Sequence, residues 1–486
     1  MITNVPNPTR IPSDRTGHGA PCPRCDAELT SDPRFTAWCP GCDWNLVPGE
    51  DAAPEPTRRE RAAAARSDRL FEDQLEGRPS PTARRDWLLA SVAAGLIHLV
   101  TLTLCCLGIW LVVAGTTVQR CAGAVVLVIV LALRPRLGRV PRGEDVLDRT
   151  RAPALFGLAD RVAAEVGAAP ADVIVVDDDF NASYGLVGLR RRAVLTVGLP
   201  LWETLDDRQR VALLGHEFGH RVNGDHRRSL WLHSAVSTLA VWYDLARGGR
   251  NGGWGSAVEV GESDGPRYDG TPLLVKLGAI LGAAVLRAVA WLMYQGLLLF
   301  DRLTSRAGQQ AEYGADALAA RVGGSEAAHG MLTALLLSRS AGTAVSRIRA
   351  EERRRPRTVR RGRGGTAERP GQPPEQPGQS ARTSEQPGQR SPAVPEPPRG
   401  PEALWERMRE HLASVPATEH ERLLRLSARD RAAVDSSHPP THLRIAVVRQ
   451  AGARPAAVSV SAAEGAAIAA ELAPHRARIA AELLAG

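Results

Sequence analysis

The sequence predicts a mainly α-helical protein of the α+β class, anchored in a membrane and carrying a small edge-strand sheet beside its helices. Three observations predict it. Trp87 to Gln119 runs without one formally charged residue, longer than the ~20 residues a membrane helix requires. Apolar residues recur at helical spacing, as at Leu155, Leu158, Val162 and Val166, which marks an amphipathic helix. Two short runs, "ADVIVVDD" and "AVLTVG", are rich in β-branched residues and read as strands.

Length and charge bound the rest. A chain of 486 residues is too long for one ordinary core, so two or three units are expected. The formal charge is +8, but Lys276 is the only lysine and many of the arginines fall in flanks and linkers. That pattern reads as solvated charge, and no nucleic-acid partner is expected. "MITNVPNPTRIPSDRTG" has no apolar core and predicts no signal peptide, hence a cytoplasmic N-terminus with reduced thiols.

Residues 1–50 read as a zinc ribbon. In "CPRCDAELTSDPRFTAWCPGCDWNL", Cys22 and Cys25 form one CxxC knuckle and Cys39 and Cys42 a second, each able to clamp one side of a tetrahedral zinc. A redox dithiol would not need a matching second pair. So small a unit lacks a core of its own, and the metal holds it together. Phe35, Trp38 and Trp44 are expected to pack around that centre.

Residues 51–86, rich in Arg, Ala and Pro, read as a linker that is partly helical. Residues 87–137 read as a transmembrane hairpin. Its second helix starts near Thr116, Arg120 snorkels to the far interface, and His98 is expected to bond to a neighbouring helix. Arg84 and Arg85 precede the hairpin, and Arg134, Arg136 and Arg139 follow it. Positive flanks on both sides place both ends in the cytoplasm. The lipid bilayer is therefore a partner, and the expected location is the cell membrane, multi-pass, with the following domain cytoplasmic.

Residues 145–350 form the next unit. "FNASYGLVGLRRR" reads as a turn between the two strands, and Val211, Leu214, Phe218 and Val222 mark a helix stopped by Asn223-Gly224. Two more apolar segments, 229–246 and 273–300, are long enough to span and are taken as membrane helices. Residues 351–401, with "RRRPRTVRRGRGG" and the repeated "EQPGQ", cannot bury enough apolar surface to fold and read as a disordered insert. Residues 402–486 are helical again and are expected to complete the preceding domain.

The chemistry concentrates in "LLGHEFGHRVNGDH". His216 and His220 lie one helical turn apart and can point both imidazoles at one ion. Glu217 is turned aside, where it can act as general base on a water rather than as a ligand. Zinc requires a third protein ligand. His226 stands where a longer metzincin motif would place one, although Asn223 replaces that motif's glycine. The competing source is "QQAEYGADALAAR", where Glu312 and Asp316 share a helix face. One carboxylate could ligate while the other orients a histidine through its free ring nitrogen.

HEFGH followed by "NGD", a pair of apolar helices and then "EYGAD" resembles the HtpX and CAAX-prenyl-protease group of integral membrane zinc metalloproteases, over roughly residues 150–345 and a later HP segment. The resemblance implies a membrane-anchored gluzincin fold in which Glu312 is the third ligand, Asp316 supports the site and His226 is free. It implies that Asn181 and Ala182, in "NAS", lie on or beside an edge strand that holds an extended polypeptide; Ser183 stands where the group usually has an aromatic. It implies that His438, in "HPPTHLR", approaches the zinc from its open side and that Arg444 lies beside the reacting carbonyl. The expected function is zinc-dependent endopeptidase action on membrane or misfolded polypeptides, in quality control or processing, with one catalytic and one structural Zn2+. A reading of another class is a membrane-tethered zinc-ribbon regulatory or binding protein with an inactive peptidase domain. The complete set of His216, Glu217, His220 and Glu312 speaks against it.

Overall fold

A computed structural model of the chain describes residues 20–29, 32–49, 57–77, 81–132, 139–188, 190–222, 225–247, 273–354, 400–429 and 439–485. In chain order the elements are β1 (Ala20–Pro21), β2 (Glu28–Leu29), α1 (Arg58–Leu75), α2 (Pro81–Ala114), α3 (Thr117–Ala132), β3 (Val146–Leu147), α4 (Pro153–Val166), β4 (Val173–Asp177), β5 (Ala182–Val187), β6 (Arg192–Gly198), α5 (Leu199–Thr204), α6 (Asp207–Val222) and α7 (Asp225–Ala246). They continue with α8 (Leu273–Gly323), α9 (Ser325–Leu336), α10 (Ser338–Arg354), α11 (Pro401–Ala413), α12 (Ala417–Arg429), α13 (Thr441–Gln450) and α14 (Ala462–Ala485). The class is the predicted one, mainly helical with a small mixed sheet.

The sheet has the order β3-β4-β6-β5, with β4 and β6 parallel and the other pairs antiparallel. One face carries Ile174, Val176, Leu195 and Val197 into the main core, where they join Leu155, Leu158 and Val162 of α4. β5 lies at the edge, so one side of its backbone has no strand partner among the described residues. The stretch read as a turn thus contains a strand. Ala182 and Tyr184 point inward and Ser183 outward, the period-2 alternation that pays the strand's cost in buried area.

α2 and α8 contain segments long and apolar enough to cross a membrane, Arg85–Ala114 and Leu281–Gly323, and α3 is a shorter apolar helix. Large apolar side chains such as Val92, Trp110, Val118 and Trp291 stand exposed on them. α2 and α3 form the expected hairpin and pack through Gly108 and Gly123, where an added methyl would strike Leu127 and Leu111. α7 leans on α2 and α8 through Ala90, Ala94, Ala235, Leu239 and Phe300. His98 Nε2 lies 3.1 Å from the Trp231 carbonyl of α7, a bond between neighbouring helices.

Two boundaries differ from expectation, and the linker is partly helical as read. The apolar run at 273–300 and the helix of Glu312 are one continuous α8, because no proline separates them and the single glycine between them, Gly308, is tolerated inside a helix; at 1.5 Å per residue it is roughly 75 Å long. The linker contains α1, whose Phe71 packs on Tyr313, Leu443 and Val447. Residues 351–354 close α10 rather than beginning the insert, and residues 355–399 lie outside the described ones.

Candidate metal centre

α6 opens with a reciprocal cap. Asp206 Oδ1 accepts the Gln209 N–H at 2.8 Å, and Gln209 Oε1 accepts the Asp206 N–H at 3.1 Å, satisfying two end groups that no helical carbonyl can reach. From that fixed start the helix buries Val211, Leu214 and Phe218 and carries His216, Glu217 and His220 on its last two turns. Val222, assigned to the same apolar face, is exposed.

Glycine sets how close α8 can come. A methyl at Gly219 would meet Ala315 Cα at 2.9 Å, and one at Gly215 would collide with Val322. Such overpacking costs on the order of 1–3 kcal/mol. With only hydrogens there, α6 and α8 approach until Glu312 stands opposite the two histidines.

The three side chains are gathered as ligands would be. His216 Nε2 and His220 Nε2 are 3.2 Å apart; Glu312 Oε2 is 3.5 Å from the first and Oε1 3.6 Å from the second. Donors around a tetrahedral zinc with ~2.0–2.1 Å bonds lie roughly 3.3 Å from one another. The nitrogen, nitrogen and oxygen set therefore fits the ion in size and in chemistry. Behind it, Asp316 Oδ1 lies 3.0 Å from His216 Nδ1, which turns Nε2 towards the centre.

Asp316 is fully buried, and Arg444 of α13 grips it as a fork, Nε to Oδ2 at 2.8 Å and Nη2 to Oδ1 at 2.7 Å. Burial alone would raise this carboxyl, but the guanidinium and the His216 ring outweigh it and hold it well below the usual carboxylate range. Losing one partner of such a buried pair typically costs about 3–5 kcal/mol. Arg444 Nη2 also lies 3.4 Å from Glu312 Oε2, and Arg444 lines the pocket in front of the histidines. The C-terminal part thus folds back onto the site, with one residue bracing the ligands and facing the cavity.

Glu217 is buried, and burial raises its carboxyl, with the two histidines pulling the other way by less. A raised carboxyl is suited to taking a proton near neutral pH. The pocket, about 480 Å3, runs from Glu217 and the histidines to Asn181, just ahead of the edge strand, and to Ala182 and Tyr184 within it. Sequence reading missed Tyr184. Its ring packs 5.3 Å from Phe218 of α6 and carries the aromatic one position after Ser183. The signal was the in-out alternation of Ala182 and Tyr184. His438 lies outside the described residues. His226 belongs to the first turn of α7, and its side chain is likewise outside them.

The second cluster fits zinc as well. Cys22 Sγ is 3.7 Å from Cys42 Sγ, and Cys25 Sγ 3.6 Å from Cys39 Sγ; sulfurs bound at ~2.3 Å around one tetrahedral ion lie roughly 3.8 Å apart. Asp26 and Asp43, just after the knuckles, adopt left-handed φ of 59° and 56°, which aspartate tolerates better than most residues. Burial pushes the Cys39 thiol upward, but the Gly41 and Cys42 N–H groups outweigh it and bring it down to about 7. Cys22→Ser is expected to reduce zinc from two ions per chain to one in elemental analysis. A single ion in intact wild-type protein would contradict two sites.

The ribbon is docked rather than free. Trp38 Nε1 donates to the Thr418 carbonyl at 3.1 Å, Arg425 reaches the Pro40 carbonyl and Asp43, and Arg34 reaches Ser414. Trp38, buried to 4 % exposure, sits against α12, with the Arg425 guanidinium 5.2 Å from its ring centre.

Residues 150–451 match the sequence profile of Peptidase family M48. Over 177 residues the chain is 30% identical to a Protease HtpX homolog from Pyrobaculum calidifontis, a match that spans 36% of this chain and 44% of that relative. The chain thus covers under half the length of the curated relative it matches. No solved structure matches it.

Proposed function

Because the chain belongs to peptidase family M48, we propose that it is a membrane-bound, zinc-dependent endopeptidase that cleaves membrane or misfolded polypeptides in quality control or processing. One observation carries this reading. The donor atoms of His216, His220 and Glu312 all lie within 4.8 Å of one another, in a pocket that also holds buried Glu217 and is lined by Ala182, Ser183 and Tyr184 of the edge strand β5.

Zinc held by these three residues supplies Lewis-acid polarisation of a carbonyl and a more acidic water. The chain does the rest. The free backbone groups of β5 bind an extended polypeptide by strand addition, which tolerates many sequences. Glu217 takes the proton of the attacking water and returns it to the leaving amine. Asp316 and Arg444 keep His216 in the tautomer and orientation that present Nε2. Arg444, at the pocket wall, can donate to the carbonyl oxygen as charge develops there.

The membrane part of the proposal rests on the exposed apolar surfaces of α2, α3 and α8 and on the arginine flanks of the hairpin, which favour a cytoplasmic catalytic domain. The test is hydrolysis of casein by full-length protein purified in detergent. Cleavage is expected to stop with 1,10-phenanthroline and to return with added zinc. Cleavage that survives removal of the metal, or its absence from protein shown to hold metal at this site, would overturn the reading.

A further inference from the structure

The sheet's other face is not part of the main core. There Val140, Val146 and Val187 cover Val173, Val175 and Val194, forming the floor of a cleft of about 800 Å3. Its walls are Arg139 and Arg142, ahead of β3, and Arg190 and Arg192 at the β5–β6 turn. All four are exposed, and none has an acidic partner among the described residues. Two carboxylates reach the cleft, and both are engaged locally. Asp148 Oδ1 accepts from Thr150 N at 2.9 Å and Thr150 Oγ1 at 2.6 Å, and Asp172 Oδ2 from Ala193 N at 2.7 Å. The cleft therefore presents four guanidinium groups against two carboxylates, an excess of positive charge above an apolar floor.

Its position narrows the occupant. Arg139 follows the last residue of α3, Ala132, by seven positions. At ~3.5 Å per residue it lies within roughly 25 Å of the end of the apolar hairpin, and the intervening sequence adds Arg134 and Arg136. The cleft crosses the sheet from β3 to the β5–β6 turn, at the end of β5 opposite the one that lines the metal pocket.

We propose that this cleft binds the phosphate headgroup of an anionic phospholipid of the membrane that the hairpin enters, and so holds the sheet at the bilayer surface. Guanidinium forks match phosphate oxygens in pairs, and the valine floor accepts the glycerol and upper acyl region that a soluble anion lacks. The inference rests on the membrane reading of α2 and α3.

The experiment compares hydrogen exchange of the full-length protein in nanodiscs of phosphatidylcholine alone and with phosphatidylglycerol. Phosphatidylglycerol is expected to protect residues 139–148 and 187–192. The Arg190→Gln/Arg192→Gln pair should lose that protection and weaken phosphatidylglycerol retention in native mass spectrometry roughly tenfold, while the Arg190→Lys/Arg192→Lys pair keeps most of it. Equal protection in both lipids would overturn the proposal. So would protection reproduced in detergent by inorganic phosphate or by an acidic peptide, which would assign a soluble-anion or peptide site instead. Failure of wild-type protein to enter either nanodisc would overturn the membrane reading itself.

Discussion

Glu217→Gln is expected to lower the rate of peptide hydrolysis on the order of 10⁴-fold, the upper range of what a positioned general base contributes, while leaving bound zinc unchanged. The substitution keeps the shape and burial of the side chain and removes only its ability to take a proton. Glu217 is not among the three residues whose donor atoms converge, so the ligand set survives. Casein cleavage and elemental analysis on the same preparation separate the two effects. Loss of zinc together with activity would mean that Glu217 holds the site together rather than acting on water. Activity within about tenfold of wild type would leave the proposed chemistry without its base.

The second large effect concerns the third ligand. Glu312→Gln is expected to abolish activity and to reduce zinc at the catalytic centre by far more than the 10–100-fold typical of a residue that supports a ligand from behind. Asp316→Asn should fall in that milder range, since it loses the charge that grips Arg444 but can still accept from His216. His226→Ala should change neither quantity. Metal titration of the three variants ranks them. If His226→Ala lost the metal while Glu312→Gln kept it, the ligand would lie in the first turn of α7 instead of in α8.

What could be read from the sequence was local. HEFGH and EYGAD each place two groups four apart, and the helical period alone puts each pair on one face. That Glu312 rather than His226 completes the centre came from resemblance to a known family, and so did any role for Arg444. Arg444 and Asp316 are 128 positions apart, and nothing in either neighbourhood announces the pairing. The clearance that Gly215 and Gly219 give Val322 and Ala315 is not readable from GHEFGH, because the approaching helix is about 100 positions away. Arg422 and Arg425 look like ordinary solvated charges in sequence, yet they anchor the ribbon, with Arg422 Nη1 on the Leu46 carbonyl at 2.8 Å. The continuity of α8 was missed for a different reason. Its composition turns from apolar to polar near Asp301, and a change of surroundings was read as an end of the helix.

The docking of the ribbon on α12 has a consequence for the order of events on the ribosome. Arg34 and Ser414, which touch in the finished protein, are 380 positions apart. At synthesis rates of about 5–20 residues per second, the ribbon waits roughly 20–80 seconds for its partner to exist. Sheet pairing of two residues per strand and a handful of apolar groups cannot keep so short a segment folded for that interval. Four thiolates closing on an ion can. Early metal capture would then leave a preformed piece to meet the C-terminal helices as they emerge, so the last tertiary contacts to form would join the first-made part of the chain to a late-made one. Starving cells of zinc during synthesis should accordingly trap molecules whose catalytic helices are made but whose two ends have not met.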